Sequence, residues 1–277
     1  NNSVQLQSFN LSNTIGEATL TATFINKGSA ATPEETTATL ICDDEYVTIN
    51  NATVNLESIA VDGTATAEFS IIIRNDVPAD YNIEFNAVVE YEGEVLKDLE
   101  YGFNEDFEGW TNYIWSGGNY EWEYYNQNGI KCISSYSYKN GDRTPDNLIC
   151  SPVKVKIKEN TQLIYDVAAT GNNYFKEHYG VYLIKTDPNG SYGWEELPEA
   201  IYEKTLDDNF KNKKFVTETH DISNDDTIGN SVWVVFRHYG CKGQDAILID
   251  NIKLNNVIIA GNLTLDNPFS VTANPSI

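Results

Sequence analysis

The chain has 277 residues, enough for two domains of ordinary size, each with a core of its own. Its 18 Lys and Arg against 41 Asp and Glu give a net charge of -23, which repels nucleic-acid phosphates and anionic lipid at long range and excludes nucleic acid as a natural partner. Its longest apolar runs are strand-sized, well short of the roughly 18 residues a membrane span needs, so no membrane insertion is expected.

The acidity is uneven, because the first 100 residues carry 17 acidic and three basic side chains. That asymmetry points to two units. The chain starts Asn1-Asn2-Ser3 and contains no Met, as expected of a mature or excised piece of a longer protein. Four cysteines, Cys42, Cys132, Cys150 and Cys241, are too scattered for a disulfide framework and read as small buried hydrophobes, with one disulfide among the last three as the alternative.

In chain order, segments 18–25, 37–42, 65–73 and 81–91 are rich in Thr, Val, Ile and Phe and are broken by Asn26-Lys27-Gly28, Asp62-Gly63 and Glu92-Gly93. Turn signals every 8 to 12 residues over residues 1–101 have the rhythm of an immunoglobulin-like β-sandwich, read here as a spacer. From 102 to 256, strands are expected at 129–135, 148–156, 161–168, 177–185, 215–221, 231–238 and 246–254, with connections rich in Asn, Asp and Gly. The one helix-like window, 195–206, is short and Glu-rich and reads as part of a long surface insertion. Residues 257–277, with Gly261, Asn267, Pro268 and Pro275, read as a linker or the start of a further segment. The expected fold is all-β: an immunoglobulin-like sandwich followed by a β-jelly roll.

Chemistry concentrates in two places. In Ile247-Leu248-Ile249-Asp250-Asn251-Ile252-Lys253-Leu254, period-2 alternation places Asp250 on one face with Leu248, Ile252 and Leu254, where an ionised carboxylate is costly unless a positive group meets it. Asp106 and Glu108, in the segment before Trp110, pose the same problem. A calcium ion held by Asp106, Glu108, Asp146 and Asp250 resolves it, since calcium takes six to eight oxygens from carboxylates and carbonyls. The alternative is that Asp250 pairs with Arg237 while Asp106 and Asp146 cap turns. The second place is the aromatic-rich stretch 110–138, where Trp115, flanked by Ser116-Gly117-Gly118, is the best candidate for an exposed tip. With Tyr113 and Tyr120 it forms the expected ligand-binding face, against the alternative that these rings pack over the sandwich edge.

His178, His220 and His238 show no close helical zinc spacing, and no phosphate loop, Gly-x-Ser-x-Gly elbow or Cys/His dyad with protease context is present. Cys241 follows Arg237-His238-Tyr239, but adjacency in sequence is not nucleophile geometry.

Five motifs in one order, Asp106-Phe107-Glu108-Gly109-Trp110, Asp146-Asn147-Leu148-Ile149-Cys150-Ser151-Pro152, Glu177-His178-Tyr179-Gly180-Val181-Tyr182, Arg237-His238-Tyr239-Gly240-Cys241 and Ile249-Asp250-Asn251-Ile252, closely resemble the cleaved-adhesin domains of gingipain-type haemagglutinins and proteases. The first and last are also similar to the ends of MAM domains. The resemblance implies a calcium-containing jelly roll, secreted or at the bacterial cell surface, that binds host proteins or glycans without catalysis as an accessory region of a larger exported protein such as a protease. It raises the weight on Glu108 and Asp250 as calcium ligands. The loop 111–122 lacks the aspartates those adhesins commonly carry there, so a calcium site in that loop is not expected. A carbohydrate-binding module, or a glycosidase using paired carboxylates, is the alternative.

Overall fold

The computed structural model describes residues 3–114, 120–186 and 197–277. Its strands, in chain order, are β1 (Val4–Leu11), β2 (Gly16–Asn26), β3 (Thr37–Ile41), β4 (Val47–Ile49), β5 (Thr53–Asn55), β6 (Thr64–Ile73), β7 (Tyr81–Tyr101), β8 (Thr111–Ile114) and β9 (Glu123–Gln127). They continue with β10 (Ile130–Tyr136), β11 (Asn147–Cys150), β12 (Val155–Ala169), β13 (His178–Ile184), β14 (Tyr202–Thr205), β15 (Val216–Asp221), β16 (Ser231–His238), β17 (Ala246–Leu265) and β18 (Pro268–Ala273). Among the described residues there is no helix, and hence none long enough to cross a membrane. The fold is all-β. The helix-like window resolves into irregular chain from 197 and then β14, because Tyr202, Glu203, Lys204 and Thr205 pair in register with His178 to Val181 of β13.

Contacts divide the chain into one unit of residues 1–95 and 260–277 and another of 96–259. The first is a two-layer antiparallel sandwich with sheet orders β1-β2-β6-β4 and β5-β3-β7-β18. Alternation dictates its core: Leu20, Ala22 and Phe24 of β2 and Phe69, Ile71 and Ile73 of β6 point inward, against Ile83, Phe85 and Ala87 of β7. The expected linker is instead structural. Residues 268–273 form β18, paired with residues 81–86 of β7, and Leu265, Val271 and Ala273 are buried in the core of this unit. Pro268 is tolerated because it is the first residue of a strand whose only described partner is β7.

The second unit packs two five-stranded antiparallel sheets, β8-β11-β16-β13-β14 and β9-β10-β17-β12-β15, face to face in the jelly-roll manner. Its core draws Ile149, Val181, Val234 and Phe236 from one sheet and Leu163, Tyr165, Val167 and Ile249 from the other. The alternation expected across 246–254 breaks at Asp250. Ile164 lies opposite Lys253 but Asp166 opposite Asp250, so β17 carries one extra residue there, and Asn251 takes up the bulge at φ 47. Consequently Ile247 and Ile249, then Ile252 and Leu254, face the central core. Leu248 faces the opposite side with Cys132 and Ala168, so Leu248 and Ile252 do not share a face. None of the four cysteines forms a disulfide; Cys132 and Cys150 are buried and the other two half-buried.

Candidate functional site

The chain enters the jelly roll through a tight turn that ends in Trp110, a buried ring with edge-on contacts to Tyr101 at 5.5 Å and Phe103 at 6.3 Å. Anchoring that indole fixes the turn before it. Trp110 N–H donates to the Phe107 carbonyl, Gly109 adopts φ 86, and the Glu108 N–H donates to Asp106 Oδ1 at 2.7 Å, so Asp106 caps the turn while remaining exposed. Glu108, at φ 47, folds its carboxylate back onto the backbone. Its Oε2 accepts from Gly102 N–H at 3.0 Å and its Oε1 from Asn104 N–H at 3.1 Å.

These bonds aim Glu108 into a cavity of about 350 Å³ whose far wall is Asn251, Ile252 and Lys253 of β17. Asp250, half-buried at the bulge, accepts from the Asn251 N–H at 2.7 Å. Burial pushes its carboxyl up to about 6 against that hydrogen bond, and the negative charges of Asp166 and Glu108 push the same way. Asp166, the cross-strand partner of Asp250, accepts from Thr217 Oγ1 at 2.5 Å and from Asn251 Nδ2 at 2.8 Å. Among the described residues no Lys, Arg or His lies within ion-pair distance of Asp166, Glu108 or Asp250; Lys253 turns to Glu100 at 3.3 Å. The three carboxylates keep spare lone pairs and lack a counter-charge, but as placed their oxygens do not all lie within 4.8 Å of one another, so a hard cation would have to draw them together.

Asp146 is elsewhere. Its carboxylate is gripped by Arg237, Nε to Oδ1 at 2.6 Å and Nη2 to Oδ2 at 3.0 Å, in a mostly buried bidentate pair. The structure thus places Glu108 close enough to Asp250 for their charges to interact, keeps Asp106 on the Glu108 turn, adds Asp166 as the cross-strand partner of Asp250, and puts Asp146 with Arg237. Asp166 was invisible in the sequence because only strand register makes it the neighbour of Asp250.

The Arg237–Asp146 pair forms the floor of a groove of about 580 Å³ whose walls include Tyr120, Arg143, Tyr239 and Lys242. The guanidinium of Arg143 lies 4.2 Å from the Tyr120 ring centroid, and that of Arg237 lies 4.1 Å from the ring of Tyr239. Tyr113 lies opposite Leu148 and packs half-buried on an apolar patch with Tyr182 and Val235. Trp115 lies outside the described residues.

A family model described as the Cleaved Adhesin Domain matches residues 104–254, the span that carries both regions. Hemagglutinin A of Porphyromonas gingivalis is 28% identical over 206 residues, 66% of this chain and 9% of that protein. Lys-gingipain W83 of the same organism matches at 28% over 206 residues, 11% of its length. The chain therefore spans about a tenth of these curated relatives. The crystal structure of the K1 cleaved adhesin domain of Lys-gingipain is 22% identical with a TM-score of 0.47, covering 58% of this chain and 98% of that domain. With more than half of its length matched to one model, the chain belongs to the cleaved adhesin family.

Proposed function

We propose that the chain is a non-catalytic adhesion module of a larger secreted or surface-exposed bacterial protein, binding host protein or glycan through the Tyr120–Arg143–Arg237–Tyr239 groove and stabilised by calcium at Glu108, Asp166 and Asp250. The groove carries the reading. In a chain of net charge -23 it gathers three cationic side chains beside two aromatic faces, the combination that stacks on a sugar ring or a planar side chain while donating to its oxygens. Tyr113 on β8 extends the proposed surface, and Trp115 joins it on the sequence reading alone. Calcium, when bound, would supply the positive charge the three carboxylates lack, with Asp106 at the margin of the set.

The glycosidase reading is weaker, because a general acid needs a carboxyl with raised proton affinity in the cleft. Both groove carboxylates face cations instead: Asp146 faces Arg237, and Asp142 lies 3.9 Å from Lys242.

The test is adherence of the chain to matrix proteins, haemoglobin and a glycan panel, compared with Tyr120→Ala, Arg143→Ala and Trp115→Ala. Loss of an aromatic or arginine anchor should weaken binding about thirtyfold, with the thermal transition unchanged. Full binding by all three variants would place the ligand elsewhere on the module.

A further inference from the structure

Apart from the groove and the carboxylate cavity, the fold assembles a second donor cluster. Glu177, just before β13, and His238, the last residue of β16, are fully buried, and Gly240, at φ 65, turns the chain so that the half-buried Cys241 comes back against them. His238 Nε2 lies 2.8 Å from Glu177 Oε2. Cys241 Sγ lies 3.2 Å from that oxygen and 3.3 Å from that nitrogen, so the three atoms form a closed triangle.

Around a tetrahedral zinc, bonds of about 2.0 Å to oxygen or nitrogen and 2.3 Å to sulfur set ligand-to-ligand distances of about 3.3 to 3.6 Å. The triangle is only a few tenths of an ångström tighter. The outer contacts already orient each donor as a metal site requires. Glu177 Oε1 is occupied by Ser137 Oγ at 2.9 Å and the Asp245 N–H at 2.8 Å, which leaves Oε2 for the centre. His238 Nδ1 lies 2.7 Å from Ser135 Oγ, itself fixed by Asn147 Nδ2 at 3.1 Å, so the ring is held with Nε2 inward.

We propose that Glu177, His238 and Cys241 form a binding site for a thiophilic divalent cation of the zinc class, with water in the fourth position on the partly exposed Cys241 side. Thiolate and imidazole select such a metal over calcium, which keeps the site chemically separate from the carboxylate cavity. His238 Nε2 faces the Glu177 carboxylate, an acceptor only, at 2.8 Å, so the neutral imidazole carries its proton on Nε2 and its Nδ1 accepts from the Ser135 O–H. Metal entry breaks the S–H and Nε2–H bonds and forms metal–sulfur and metal–nitrogen bonds. One proton is taken up at Nδ1, which then donates to Ser135 Oγ, and the other leaves to solvent.

The experiment is a cobalt(II) titration of the reduced full chain. A near-ultraviolet thiolate-to-cobalt band saturating at one equivalent, displaced by zinc and indifferent to excess calcium, is expected. The band should vanish in Cys241→Ser and persist in Cys42→Ser, with circular dichroism confirming that both variants fold. In the unaltered chain, zinc should also protect Cys241 from iodoacetamide, read peptide by peptide by mass spectrometry. Absence of the band, its survival in Cys241→Ser, or unprotected alkylation of Cys241 in the presence of zinc would overturn the assignment.

Discussion

His220 illustrates how much a single ring contributes to the jelly roll. Its Nε2 lies 3.1 Å from the Tyr165 hydroxyl, and its ring packs on Tyr202 at 4.2 Å. Burial holds its pKa below the usual histidine value; Glu218 on its own strand opposes this, and Lys204 on β14 reinforces it. The unfolded chain therefore takes up a proton near pH 6.5 that the folded chain refuses until lower pH. Stability from the neutral ring is fully present above about pH 6.5 and is lost as pH falls below it. His220→Gln should lose less stability than the parent between about pH 7 and 5 in urea titrations, and parallel curves for the two would show that the imidazole does not titrate as argued. At this scale the sequence was informative about charge and silent about pairing. A carboxylate in an apolar strand marked Asp250, but that Arg237 reaches Asp146 depends on β11 and β16 lying side by side, with Leu148 opposite Arg237.

The bulge in β17 is where one residue's conformation sets the aim of a whole strand. Asn251 supplies the left-handed φ of 47 that lets Ile247 and Ile249 face the core before the bulge and Ile252 and Leu254 after it. Asn tolerates that region; a β-branched side chain does not. Asn251→Gly and Asn251→Val both lose the hydrogen bond to Asp166, so the difference between them isolates backbone strain. The valine variant should be less stable than the glycine variant by about 1 to 2 kcal/mol, read from urea midpoints. Equal midpoints would mean that the strand straightens without penalty. Alternation could not foresee this, because period 2 carries no signal for an inserted residue. Chain punctuation misled in the same way at β18: Asn267 and Pro268 suggested a linker, yet Asn267 bonds through its N–H to Asn86 Oδ1 and through its carbonyl to Ala87 N–H. Ending the chain at Asp266 should therefore destabilise the first unit, with hydrogen exchange accelerating in β7 and β3. Unchanged protection there would make β18 dispensable.

Over the whole molecule, strand-rich composition and turn rhythm made the all-β class and the adhesin-type second unit legible. The exact partition was not, because residues 260–277 return to the first unit's core and only tertiary contacts reveal that. The same partition gives the calcium proposal its sharpest test. A ligand that binds only the folded state adds about 2.7 kcal/mol at a hundredfold excess over its Kd. All the proposed ligands, Glu108, Asp166 and Asp250, lie within residues 96–259. Chelation should therefore accelerate hydrogen exchange in β12 and β17 around Asp166 and Asp250 and leave β2 and β6 of the first unit unchanged. Asp250→Asn separates charge repulsion from metal binding. Without calcium it should be more stable than the parent, because it removes an ionised group that burial and two neighbouring carboxylates disfavour, and calcium should no longer stabilise it. Exchange that ignores chelator throughout, or an Asp250→Asn variant still stabilised by calcium, would mean that these carboxylates tolerate their proximity without a cation.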